Sequence, residues 1–250
     1  MTALAATTPP PTRRQEEWRY SDIAAVARAW PVMDEVIEVT DGGSERRVIL
    51  QLGQPGGEQI RHLTIQLGVE ARMSLHLVVG GSDYGRIAVD VEMQAGAAFE
   101  LGGVIIAKGS QTLEIVTTVR HLGPGATSRQ IVRCVAGDTA TATYLGKVAV
   151  ARAGQQTDAA QSFKALLLDR GATANAKPEL EIFADDVKCA HGATVGELDR
   201  NALFYLESRG IPPVEARALL TRAFLSDALA GIADDAARDV AEARVTGLLA

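Results

Sequence analysis

Between residues 32 and 182 the chain is almost wholly a succession of short β-branched or alternating stretches, and this limits its possible folds most. Val36–Val39, Arg47–Leu52, Leu63–Leu67, Met73–Val79, Ile87–Met93, Val104–Ala107, Leu113–Arg120, Arg129–Val135, Thr141–Val150 and Ser162–Leu168 each read as a strand. Gly, Pro, Asp and Ser punctuate them, and no amphipathic helix pattern intervenes. So many strands in about 150 residues require an all-β architecture: sandwich, barrel or solenoid. Small-residue corners at Gly96-Ala97-Ala98, Gly125-Ala126-Thr127, Gly137-Asp138-Thr139, Gly171-Ala172-Thr173 and Gly192-Ala193-Thr194 suit a solenoid, whose rungs lie only ~4.8 Å apart. Their spacing is irregular, which leaves the sandwich open.

The flanks differ from this core. Residues 1–12, rich in Ala, Thr and Pro, offer little to bury and are expected to be disordered. Residues 13–31 read as a short helical lead-in, with Ser21 as N-cap, Asp22 in the first turn and Pro31 as the stop. The β core spans 32–196, and 197–250 is helical. Asp199 caps a helix to Arg209, with Gly210 just beyond it. Pro212-Pro213 opens a second, whose stripe is Ala216, Leu219, Leu220, Ala223 and Phe224, flanked by Leu225, Leu229 and Ile232. Asp234 and Asp235 start a third, with Ala237, Val240, Ala241, Val245 and Leu248 as its stripe. Such stripes cover a core in most proteins. Phe204-Tyr205-Leu206 and the wide second stripe also leave apolar surface for another subunit.

Composition excludes several functions. A net charge of −6 and a pI near 5.3 argue against nucleic acid as a partner. No window approaches the ~20 apolar residues of a membrane span, and Met1–Pro11 lacks the pattern of a signal peptide. Two distant cysteines, Cys134 and Cys189, make no disulfide framework. A soluble, cytoplasmic protein is expected. Gly146-Lys147-Val148 lacks the rest of a phosphate loop, and Gly123-Pro124-Gly125 lacks the third glycine of a dinucleotide fingerprint. No nucleophile elbow or His-Glu-x-x-His pair occurs. Asp185-Asp186 would point to opposite faces of a strand, and a turn or an ionic contact with Lys188 suits them better than acid–base chemistry. The chain is therefore not expected to be an enzyme.

One segment carries metal-ligand chemistry. Cys189 and His191 lie two residues apart, so a strand projects both from one face. A thiolate beside an imidazole is half a ligand set for iron or zinc. Spacing alone leaves open a structural cysteine near an unrelated histidine. His62, His76 and His121 read as structural or surface residues, and Cys134 as a buried thiol.

Two blocks resemble the SufB/SufD family of SUF iron–sulfur cluster assembly scaffolds, its SufD branch in particular. One is Pro11-Thr-Arg-Arg-Gln-Glu-Glu-Trp-Arg-Tyr-Ser-Asp22. The other, longer and more specific, runs from Phe183-Ala-Asp-Asp-Val-Lys-Cys-Ala-His-Gly-Ala-Thr-Val-Gly196 through Leu203–Ile211 into Ala218–Leu225. The resemblance implies a right-handed parallel β-helix core with a C-terminal α-helical domain. It also implies a SufB homologue joined through the β cores and the ATPase SufC docked on the helices, at Phe204, Tyr205, Leu206, Leu219, Leu220 and Phe224. By the same likeness His191, with Cys189 beside it, would hold a transient iron–sulfur cluster shared with SufB, none being tightly bound by the chain alone. Lys188 would favour the Cys189 thiolate if the two approach. The chain is short for the family, with little before Glu16-Glu17-Trp18. Two other readings stay open: a homodimeric metal-binding β-solenoid, and a carbohydrate-active β-solenoid enzyme, for which 4% aromatics supply little sugar stacking.

Overall fold

The computed structural model describes residues 9–249 together with the backbone of residues 2–3. Its core is a parallel β-helix of six coils, each contributing one strand to either of two facing sheets. Sheet A contains β2 (Met33–Val39), β4 (Glu58–Leu67), β6 (Tyr84–Met93), β8 (Thr112–His121), β10 (Thr141–Val150) and β12 (Thr173–Ile182). The short β1 (Thr2–Ala3) adds to β2 antiparallel. Sheet B contains β3 (Ser44–Leu52), β5 (Arg72–Gly80), β7 (Ala98–Ala107), β9 (Thr127–Ala136), β11 (Thr157–Leu167) and β13 (Val187–Gly196).

The solenoid follows from the alternation. Inward residues of both sheets, such as Leu75, Leu101, Ile87, Val89 and Phe163, merge into one core, and stacking joins each coil to the next. Coil length varies from 26 residues (Glu58 to Tyr84) to 32 (Thr141 to Thr173), which is why no strict period is visible. The corners absorb the difference. Gly96 adopts φ +65°, where a side chain is strained, but Asp138 and Gln156 hold comparable positive φ without being glycine. At Gly137-Asp138-Thr139 the left-handed residue is Asp138, and Gly192 lies inside β13 rather than at a turn.

Both outer faces are partly covered. A 3-10 turn (Glu16–Trp18) and α1 (Ile23–Ala29) lie on sheet A, burying Trp18, Ala25 and Val26 against Tyr84. Asp22, not Ser21, caps α1, accepting from the Ala24 and Ala25 amides. Ser21 is buried and donates to Glu114, whose carboxylate pairs with Arg86 at 2.6 Å beneath the Trp18 ring. On sheet B lie α3 (Pro213–Ser226) and α4 (Asp235–Leu249). Leu225, Leu229, Ile232, Ala241 and Val245 pack on Val78, Val104, Ile106 and Val135. Arg133 on β9 donates to Asp227 at 2.6 and 2.9 Å and ties the end of α3 to the sheet. α2 (Arg200–Ser208), capped by Asp199, buries no residue.

Of residues 1–12, expected to be disordered, 1 and 4–8 lie outside the described residues. Thr2–Ala3 pair with Met33 and Asp34, and Pro11 is buried. β12 was not among the strands read from pattern, because Asn175, Lys177 and Pro178 break its apolar character. Its place explains Pro178: β12 is the last strand of sheet A, and a proline is tolerated where its missing N–H faces an unpaired side.

Candidate functional site

β12 and β13 form the last coil, and among the described residues no strand pairs with the outer edge of either. Parallel register sets Cys189 beside Ala159 and His191 beside Gln161. Ala159 and Gln161 are buried inward residues of β11, so Cys189 and His191 both face the mouth of the solenoid, as the two-residue period requires. Among the described residues no further rung lies beyond this mouth.

The two side chains differ in setting. Cys189 is half-buried and packs with Val187, Leu180 and Ala184 against Val148, Val150 and Ala159. Burial raises the pKa of its thiol, and the Asp158 charge adds to this, while a hydrogen bond involving the Ala159 backbone opposes them. Lys188 projects to the other face, in register with Asp158, whose carboxyl is held low chiefly by its hydrogen bond with Arg129 and in smaller part by the Lys188 charge. The expected help from Lys188 is therefore absent: the thiol as it stands is disfavoured from ionising, and a metal would have to supply the charge that makes it a thiolate. His191 is exposed. Among the described residues no three His, Cys, Asp or Glu side chains gather into a metal-binding group. The pair is a thiol and an imidazole on an open rim.

Asp185 and Asp186 sit at the bend before β13, and no ion pair links them to Lys188 among the described residues. Cys134 is fully buried, and burial raises its thiol pKa. His62 lies between carboxylates, 2.9 Å from Asp90 and 3.5 Å from Asp34, and the Asp90 hydrogen bond raises its pKa. It borders a cleft with Trp18, Trp30 and Arg86 on the outer face of sheet A, which shares no residue with β13. His76 and His121 are buried.

The helical candidates also divide. Phe204 and Tyr205 on α2 are 72% and 58% exposed and Leu219 on α3 is 42% exposed, with Val214 exposed as well. Leu206 and Leu220 are half-buried, and Phe224 already packs against the helix–sheet cluster. Sequence reasoning missed a polar column behind His191. Gln130 and Gln161 occupy the same register position on β9 and β11, and the separations of 31 and 30 residues to Gln161 and His191 match one coil each.

Comparison with known proteins agrees with this architecture. Residues 34–224 match the family model described as SUF system FeS cluster assembly, SufBD core domain. Protein ABCI7, chloroplastic, of Arabidopsis thaliana is 34% identical over 88% of this chain and 46% of its own length. The iron–sulfur cluster assembly SufBD family protein slr0076 of Synechocystis is 34% identical over 69% of this chain and 36% of its own length. The iron–sulfur cluster assembly protein SufD of Escherichia coli is 27% identical over 84% of this chain and 50% of its own length. The chain thus spans about half the length, or less, of these relatives. No helix among the described residues is long and apolar enough to cross a membrane. With a matched domain that reaches from β2 into α3 and includes Cys189 and His191, this chain belongs to the SufBD family of SUF iron–sulfur cluster assembly proteins.

Proposed function

We propose that this chain is a scaffold subunit of a SUF assembly complex, and that its last coil is one side of a composite cluster site. The observation that carries the reading is the open rim: β13 presents an unpaired backbone edge and, on that strand, Cys189 and His191 on the inward face at the mouth. Unpaired parallel strand edges are templates for another chain. A second β-helix continuing sheets A and B across β12 and β13 would close the mouth and bring its own ligands next to His191. His191 acts as a ligand and Cys189 as a second ligand or its neighbour, and the cluster is transient cargo rather than a resident group.

The partner proposed at the rim is a SufB homologue, and the exposed apolar residues of α2 and α3, Phe204, Tyr205 and Leu219 foremost, are the docking surface for a SufC homologue. ATP hydrolysis would then belong to that partner, and this chain would work in the compartment that houses it, the cytoplasm in a bacterial cell. Anaerobic co-expression with SufB and SufC homologues tests the reading. A ternary complex carrying iron and sulfide is expected, and His191→Ala should cost it most of that iron. No complex, or a His191→Ala complex with native iron content, overturns it. A homodimer joined through the same rim would instead appear as a stable dimer of the chain alone, binding about one metal per pair.

A further inference from the structure

Behind His191 the interior changes chemistry. Its inward column on sheet B reads Leu75, Leu101, Gln130, Gln161, His191 on successive rungs, so leucine gives way to amide before the mouth is reached. Gln130 and Gln161 are only 1% and 4% exposed. The facing wall answers the carbonyl of Gln130, though not its Nε2: Thr117 donates to the Oε1 at 2.8 Å, and the Tyr144 hydroxyl donates to the same oxygen at 3.3 Å. Gly146 leaves room for Gln161, since a Cβ there would overlap the Gln161 Nε2 and lie 2.6 Å from the Tyr144 hydroxyl oxygen.

Gln161 is answered less well. Its Oε1 and Nε2 are both buried, and its polar neighbour across the interior is the Tyr144 hydroxyl, at a geometry short of a full hydrogen bond. A buried primary amide normally has partners on both sides, and packing alone would favour the leucine found two rungs earlier. The nearest polar side chain outboard is His191, in register on the next strand, ~4.8 Å away along the sheet and on the same face.

We infer that Gln161 is the positioning residue of His191: its Oε1 accepts the ring N–H that does not face the rim, so that the other ring nitrogen keeps its lone pair for a metal. A histidine ligand must be neutral and in one tautomer, and an acceptor behind the ring fixes both the tautomer and the ring plane. The polar column is then the support of a site whose front half belongs to another chain. The inference rests on His191 being a ligand, and it adds a residue one coil deeper that touches no metal.

The test uses the full chain, labelled with ¹⁵N-histidine, and Gln161→Leu, whose retained fold is checked by its thermal transition. At alkaline pH long-range ¹H–¹⁵N correlation reads the tautomer, with His191 assigned by the loss of its signals in His191→Ala. One dominant His191 tautomer is expected in the native chain and a mixture in Gln161→Leu, with Gln161→Glu restoring the single form because it keeps an acceptor. In the co-expressed complex, ferrous iron should bind Gln161→Leu about 10- to 100-fold more weakly than the native complex. An unchanged tautomer or unchanged iron affinity in Gln161→Leu overturns the inference while leaving His191 as ligand. Native iron binding by His191→Ala removes the reading beneath it, whatever the tautomer shows.

Discussion

Gly102 and Gly192 occupy the same column of sheet B, separated by Ile131 and Ser162 on the rungs between them. At Gly102 the outer face is so closely covered that a Cβ would run into the Ala228 carbonyl oxygen and sit 2.5 Å from Cδ2 of His76. At Gly192 a Cβ would meet nothing within 4 Å. The same residue at the same register thus marks a closed coil in one case and an open one in the other. β5 and β7 are paired on both edges, filled on the inside and roofed by α3 and α4, whereas β13 is paired on one edge only and largely exposed. The middle of the β-helix is finished by its own sequence. The last coil is left open on one side.

Breaking the closed half should therefore cost far more than altering the open half. The largest effect is expected at the Arg86–Glu114 pair, whose side chains are 1% and 0% exposed. Glu114→Ala leaves the Arg86 guanidinium buried with only the Ser21 hydroxyl and the Trp18 face, and should destabilise by about 3–5 kcal/mol. Lys177→Ala, on the rim strand β12, breaks pairs with Glu16 and Glu179 that stand in solvent and should leave the denaturation midpoint unmoved. Guanidinium titration of both variants checks the contrast, and similar losses would erase it.

The two buried histidines give the next contrast. His121 is fully buried, and burial depresses its pKa from 6.5 to about 4. The unfolded chain therefore takes up a proton first as the pH falls. Stability is complete above pH 6.5 and is lost progressively toward pH 4, by up to ~3 kcal/mol from this group. His76, lowered by burial, acts in the same direction. His62 opposes them, since its raised pKa contributes stability below 6.5 that fades as the pH rises through its folded value. Unfolding free energies at pH 7.5 and pH 5 should differ less in His121→Gln than in the native chain.

The division between closed and open coils also decides what was legible in the sequence. The closed coils were: alternation in Thr141–Val150 reproduces β10, and the other central strands were found but often too short, Val104–Ala107 marking only the end of β7. Asp199, Gly210 and Pro213 placed α2 and the start of α3 through the local chemistry of helix ends. What escaped was set by distant partners. Ser21 looks like a cap but is claimed by Glu114, ninety-three residues on, and Asp22 caps instead. β12 lacks the apolar pattern because its outer side has no rung to pack on. Cys189-Ala190-His191 was recognisable as half a site by spacing, but the amides behind it were not. Pairing Gln130 and Gln161 with His191 requires coil lengths of 31 and 30 residues that the irregular corners hide.

The glycine column gives the smallest effect and the sharpest contrast, because position and substitution are both held constant. In Gly102→Ala the new methyl meets backbone on one side and the His76 ring on the other, and backbone cannot swing away as a side chain can. The α3–α4 connection must lift or the β7 strand must sink, at about 1–3 kcal/mol. In Gly192→Ala the methyl enters open space, and neither glycine has the positive φ that would strain alanine. Removing a glycine from a strand interior also restricts the unfolded chain, so a change between zero and a gain of about 0.4–1 kcal/mol is expected. Thermal denaturation of the isolated chain should rank Gly102→Ala lowest and Gly192→Ala at or above the native protein. Within a complex that covers the rim, the order should invert for binding. Gly192→Trp, which the isolated chain can accommodate, should weaken association where Gly192→Ala does not. An isolated chain equally destabilised by both alanines would mean that β13 is as closed as β7, and the rim would then have no unfilled half to offer.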